Sequence, residues 1–172
     1  DDPVGVRLVT MELSYPRYIH SELMTHRIFS RCSASSRAIP VKTLIEQACV
    51  IPEYWGKNKA GMQAEGELSP CDRGVAQSLW YEAMLAAKTY ALHLSELGVH
   101  KQTVNRLLEP FSVMHTVVTS TEWENFFSLR ISPLAQPEMR QLAECMREAM
   151  NNSCPDLVQD GNWHTPYIDA SE

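Results

Sequence analysis

Apolar and polar positions alternate along residues 4–15, where Val6, Leu8, Thr10 and Glu12 interleave with Arg7, Val9, Met11 and Leu13. That period and the β-branched content predict a strand, which Pro16 ends. Tyr18, Ile19, Leu23, Met24, Arg27 and Ile28 then recur at helical spacing, which predicts a helix through about Phe29. Residues 30–40, SRCSASSRAIP, are rich in hydroxyls and end in proline, and read as a loop. A short helix is expected over 41–50. Residues 51–74 hold Pro52, Gly56, Gly61, Gly66 and Pro70 and show no period, the mark of a functional or mobile loop. The strongest helical pattern covers 75–97, with Val75, Leu79, Met84, Ala87, Ala91 and Leu94 on one face and Gly98 as its stop.

A second helix is expected from Lys101 to Leu108, closed by Pro110. The run FSVMHTVVTS over 111–120 reads as another strand. Residues 121–130 read as a helix capped by Ser120 or Thr121, with Glu124 in its first turn. Pro137 opens the last helix, which runs to about Asn151. The tail with Trp163, His164, Pro166 and Tyr167 has no period. Strands and helices in this order predict one α+β domain over 1–172, dominated by helices.

Composition narrows the class. Hydrophobic residues make up 44% of the 172 and charged residues 21%, as in globular proteins rather than disordered ones. No apolar run approaches the roughly 20 residues of a membrane span, and no signal-peptide pattern is visible. Fifteen Lys and Arg against 21 Asp and Glu give a net charge of −6, so a general nucleic-acid coat is not expected. Any anion must meet a local arginine cluster. Five cysteines, Cys32, Cys49, Cys71, Cys145 and Cys154, form no C-x-x-C pair, which fits scattered thiols in the cytoplasm better than a disulfide framework or a zinc ribbon.

The segment THRIFSRCSASSR gathers His26, Arg27, Arg31 and Arg37 among Ser30, Ser33, Ser35 and Ser36. Planar guanidiniums and hydroxyls suit a phosphate or a pyrimidine edge, although a solvated loop has the same composition. Arg130 ends an apolar helix, where a cation complements the helix C-terminus without further function. Arg106 lies one turn into a helix and admits the same reading. The histidines have no metal-ligand spacing, no G-x-S-x-G elbow occurs, and neither G-x-G-x-x-G nor a P-loop appears. Cys32, in the electropositive stretch, is either a thiolate or a spectator.

The residues Thr25-His26-Arg27-Ile28-Phe29-Ser30-Arg31-Cys32-Ser33-Ala34-Ser35-Ser36-Arg37 resemble the R-H-R-x-x-S-x-N-x-x-S-x-R signature of the flavin-dependent thymidylate synthase family. Thr25 replaces the first Arg and Cys32 the Asn. Arg106 and Pro110, then Asn125-Phe126-Phe127-Ser128-Leu129-Arg130, then Ala135-Gln136-Pro137-Glu138-Met139-Arg140, are similar to the family's later blocks in the same order. The loop IPEYWGKNKAGMQ, with Gln63, is similar to its N-K-Q stretch. Together the similarity spans about residues 6–150. An H-x-S-P-F-E-H segment of the family's flavin pocket is missing, which implies a truncated chain or a lineage lacking part of that pocket. Glu22 stands where many relatives carry Gln, and a carboxylate cannot donate to phosphate.

The resemblance implies a small antiparallel sheet within the helix-dominated domain. It also implies an FAD-dependent enzyme that methylates dUMP to dTMP with methylenetetrahydrofolate, NADPH reducing the flavin. Arg37 and Arg106 would clamp the substrate phosphate with help from Ser35, and Arg130 would face the pyrimidine and stabilise charge developing on it. Gln63 is a further substrate-binding candidate. His26, Arg27, Ser30, Cys32 and Asn125 would touch the flavin. Family members are homotetramers with flavin sites between subunits. Two alternatives remain open: a related enzyme modifying C5 of a pyrimidine nucleotide, and a non-catalytic nucleotide-binding relative.

Overall fold

The computed structural model describes residues 5–47 and 49–168. Among the described residues nine regular elements follow one another: β1 (Val9–Pro16), α1 (His20–Met24), β2 (Ser30–Ser33), α2 (Val41–Glu46), α3 (Pro70–Glu96), α4 (Lys101–Val104), β3 (Val113–Ser120), α5 (Glu124–Arg130) and α6 (Pro137–Asn152), with short 3-10 turns over Arg17–Ile19, Asn105–Leu107 and Glu109–Phe111. The strands form one antiparallel sheet in the order β1-β3-β2. It is the small sheet in a helix-dominated α+β domain that the sequence resemblance implies.

Strand alternation divides the sheet into two faces. Met11, Leu13 and Tyr15 of β1 stand beside Val118, Thr116 and Met114 of β3, all buried. This face packs on α5 and α6 through Phe126, Phe127, Met139, Ala143 and Met146. Phe29 and Trp123 extend the cluster, their ring centroids 4.8 Å apart. A second, smaller core joins Leu44 of α2, Ala91 of α3, and Val104 and Leu108 in and after α4. The opposite sheet face is polar: Thr10 and Thr119 hydroxyls meet at 2.8 Å, and Ser14 Oγ lies 2.7 Å from His115 Nδ1.

Four local expectations are corrected. The helix expected through Phe29 stops at Met24, where Thr25 and His26 backbone N–H groups close the turn on Glu22 and Leu23. The hydroxyl-rich stretch expected to be all loop begins as β2, because β3 offers it a row of backbone partners. The long helix begins at Pro70, five residues early: Ser69 Oγ accepts the Asp72 N–H and Pro70 takes the first helical position. Its inward stripe is Trp80, Met84, Ala87, Ala91 and Leu94, whereas Val75 and Leu79 are 57% and 61% exposed. Finally, α5 starts at Glu124 with no side-chain cap, since Ser120 Oγ is spent on the Glu122 backbone. Gly98 behaves as expected, ending α3 at φ +81° while the Val99 N–H reaches back to the Leu94 carbonyl at 3.0 Å.

Phe126 is 1% exposed and touches the rings of His26, Phe29 and Phe127. Phe126→Ala is expected to cost about 3–5 kcal/mol of stability by urea unfolding. A loss within about 0.5 kcal/mol, the range of ordinary surface substitutions, would contradict this packing.

Candidate functional site

Edge strand β2 is the hinge of the site. Ser30 and Cys32 pair with Thr119 and Val117 on the polar sheet face and are exposed, whereas Arg31 and Ser33 pair with Val118 and Thr116 on the inward face. Alternation therefore splits residues that the sequence groups together. Arg31 joins His26: its Nη1 donates to the His26 carbonyl at 2.8 Å. Ser30 and Cys32 look the other way.

At one end of β2 lies Arg130, in the last turn of α5. Its Nε donates to His26 Nε2 at 2.7 Å, one Nη to Thr25 Oγ1 at 3.2 Å and the other to Glu22 Oε2 at 3.4 Å. The bonds to α1 and its following turn aim this cation, which the helix terminus alone would not do. His26 is 8% exposed. Burial, then the Arg130 and Arg31 guanidiniums, hold its pKa below the ordinary value.

At the other end, the loop after β2 is held by Asn105, which is fully buried. Its Nδ2 donates to the carbonyls of Ser36 at 2.6 Å and Ile39 at 3.0 Å. Lys101 Nζ adds a bond to the Ala38 carbonyl. The clip fixes the backbone on both sides of Arg37 to the residue before Arg106. Within this loop Ser35 Oγ accepts the Arg37 N–H at 3.3 Å. Glu109 Oε1 accepts from Arg17, Ser36 and Arg106, each at 2.9 Å.

At the Ser33 end a line of hydroxyls crosses the sheet from β2 through β3 to β1: Ser33 Oγ to Thr116 Oγ1 at 2.9 Å, Thr116 to Tyr15 OH at 2.8 Å, Tyr15 OH to His20 Nδ1 at 2.7 Å. Burial lowers the pKa of His20, and Arg17 and Arg31 lower it further. Burial raises that of Tyr15, against the Thr116 hydrogen bond and the same two arginines. Two arginine pairs result: Glu109 joins Arg17 to Arg106, and His26 joins Arg31 to Arg130, its carbonyl accepting from the first and its Nε2 from the second. At roughly 3.3 Å per residue, β2 separates its two ends by about 10 Å.

The remaining candidates are scattered. Arg27, Arg37 and Asn125 are exposed, and their side chains have no hydrogen-bond partner among the described residues. Gln63 is exposed at the tip of an excursion closed by the Lys57–Gly66 and Trp55–Leu68 backbone bonds, and nothing ties it to the arginines. Arg17, Glu109, Asn105, Tyr15 and Thr116 were missed by motif reasoning. Only the spacing of Asn105 next to Arg106 and of Arg17 next to a strand end hints at them. A cavity of about 380 Å³ lies elsewhere, between Tyr54, Arg73, Glu138 and Arg140. Among the described residues no group of three or more His, Cys, Asp or Glu is placed to hold a metal ion, and no helix is long and apolar enough to cross a membrane.

The model of the thymidylate synthase complementing protein family matches residues 6–156. The chain belongs to the flavin-dependent thymidylate synthase family. Two solved structures share its fold. A UMP/dUMP methylase, PolB from Streptomyces cacaoi, bound with 5-Br dUMP, superimposes with a TM-score of 0.66 at 19% identity, over 83% of this chain and 65% of that one. The flavin-dependent thymidylate synthase ThyX from Helicobacter pylori, complexed with FAD and dUMP, gives 0.57 at 21% identity, over 83% and 67%. The chain thus spans about two thirds of the length of each. No curated protein matches it.

Two measurements check this geometry. Asn105→Ala removes both clip bonds and is expected to cost about 1–3 kcal/mol in urea unfolding; an unchanged midpoint would show that the loop holds itself. His20 and His26 both have pKa values lowered from 6.5 by folding. The unfolded chain therefore binds their protons first as pH falls. Their contribution is complete above 6.5 and is lost as pH drops through the folded values. The urea midpoint is expected to fall between pH 7 and pH 5, and less so in the His20→Gln/His26→Gln double variant. Equal falls in both proteins would contradict the assignment.

Proposed function

We propose that this chain catalyses the flavin-dependent reductive methylation of dUMP to dTMP, with methylenetetrahydrofolate as the one-carbon donor and NADPH as reductant, in the cytoplasm. The supporting observation is two hydrogen-bonded arginine pairs, Arg17 with Arg106 on Glu109 and Arg31 with Arg130 on His26, beside the clipped loop in a chain of net charge −6.

Charge balance favours a phosphate at the loop end. Arg17, Arg37 and Arg106 against Glu109 sum to +2, and a phosphate monoester carries about −1.5 to −2 at pH 7. Arg37 and Arg106 clamp it, and Ser35 and loop N–H groups add donors. Arg106 gives one Nη to Glu109 and keeps its other N–H groups free. At the far end, Arg130 has five N–H donors and commits three. The two left over face the pyrimidine carbonyl edge, and a cation that never deprotonates stabilises negative charge arising on the ring. Tyr15, Thr116 and Ser33 brace the Ser33 end of β2 against β3 and β1. No protein nucleophile is invoked.

The donor set fits a flavin in part. Arg27 is an exposed cation and Asn125 an exposed amide, the groups a diphosphate and a flavin edge require. His26 is buried with Nε2 already engaged, and Ser30 and Cys32 lie on the other face of β2. When bound, the flavin supplies the hydride chemistry; Arg27 and Asn125 bind and orient it. A second copy completes the enclosure in a homotetramer, for which the exposed Val75, Leu79, Tyr90 and Leu92 of α3 offer apolar surface.

A second reading, a related enzyme acting on C5 of another pyrimidine monophosphate, draws on Thr25 and Cys32 in the signature and on the likeness to the UMP/dUMP methylase PolB. Product analysis with dUMP and UMP in competition decides between them. The decisive set is flavin absorbance of the purified protein, dTMP formation, and dUMP titration. Arg37→Ala and Arg106→Ala are each expected to weaken dUMP binding about tenfold to a hundredfold, the worth of one charged hydrogen bond. Flavin-free protein that binds dUMP without turnover would make it a non-catalytic relative. Binding unaffected by either variant would remove the phosphate clamp.

A further inference from the structure

We propose that His26 is a positioning residue for Arg130, rather than a cofactor contact: its Nε2 accepts the Arg130 Nε–H and fixes the guanidinium plane toward the substrate ring. This rests on the function proposed above and deepens it.

The geometry allows one protonation pattern. At 2.7 Å the Arg130 Nε–H needs an acceptor, and arginine cannot supply its own neutral form. His26 must therefore be neutral, with its proton on Nδ1 and its lone pair on Nε2. The ring is itself locked. Phe126 meets it edge-on with centroids 4.8 Å apart, and Phe29 lies 6.1 Å away. Its carbonyl is held by Arg31, so the backbone cannot swing. A guanidinium tied at Nε to a fixed ring has one orientation, while Thr25 and Glu22 bind its outer nitrogens at the longer distances of 3.2 and 3.4 Å.

The charged groups facing the ring are Arg130 from α5 and Arg31 from β2, with the Glu22 carboxylate of α1 reaching Arg130. Two cations against one carboxylate resist a third positive charge. Protonating Nε2 turns the acceptor into a donor, breaks the bond and repels Arg130. The site is therefore built to release its ring-facing cation on acidification.

The test uses the full-length protein with bound flavin, His26→Gln, and His26→Leu. Glutamine places an amide oxygen where Nε2 stands and does not titrate; leucine fills the space without an acceptor. His26→Gln is expected to keep kcat with dUMP within about threefold and to lose acid sensitivity relative to wild type. The substrate phosphate titrates identically in both, so the difference between their pH profiles isolates His26. His26→Leu is expected to lower kcat about a hundredfold, as a misplaced group does, while retaining flavin absorbance. Nitrogen-15 NMR of wild-type histidine reads the bond whatever the substrate and whether or not the variants fold, and should show protonated Nδ1 and bare Nε2 at pH 7. A proton on Nε2, a fully active His26→Leu, or a His26→Leu that loses flavin yet binds dUMP normally would overturn the proposal. Wild-type protein that neither binds nor converts dUMP, with the expected tautomer, would instead count against the function and leave the His26–Arg130 bond standing.

Discussion

The pairing of four residues, Ser30 to Ser33, with the middle strand governs everything else in the site. A strand sends successive side chains to opposite faces, so this short run decides which arginines and hydroxyls share a surface. It puts Arg31 under His26 and Ser33 against Thr116, and turns Ser30 and Cys32 outward. It also sets where the following loop begins, and thereby which residues Asn105 can grip. A one-residue slip would exchange the two sets and take Arg31 away from His26 and Ser33 away from Thr116.

Electrostatics complete the arrangement. In an acidic chain Arg17, Arg106 and Arg130 are set against two carboxylates, Glu109 and Glu22. Glu109 is shared by Arg17, Arg106 and Ser36, and its one negative charge offsets part of the repulsion between the two guanidiniums. At Arg130 the Glu22 carboxylate supplies the opposing charge and His26 Nε2 the shorter, orienting hydrogen bond. Hydrogen bonds hold these cations in place before any ligand arrives, and such preorganisation lowers the cost of binding.

Much of the fold was legible in the sequence. The two eight-residue strands, the long helix and the last helix follow from period, capping and proline, because each carries its signal locally. Strand β2 was not legible: SRCS has no apolar alternation, and only the neighbouring β3 makes it a strand. The same nonlocal cause truncates α1. Within the site, Arg37, Arg106 and Arg130 stood out as members of motif blocks, while Arg17, Asn105 and Glu109 did not, since their roles arise from contacts 66 to 92 residues apart in the chain. The exposed tip holding Gln63 matched a motif block yet has no structural tie to the rest.

A crystal structure of the protein with 5-bromo-dUMP tests the central claim most directly, because anomalous scattering marks the pyrimidine C5 independently of the phosphate. The phosphate is expected between Arg37 and Arg106 and the ring edge at Arg130, along the inward side of β2. A nucleotide bound elsewhere, for instance in the cavity between Arg73 and Arg140, would contradict it.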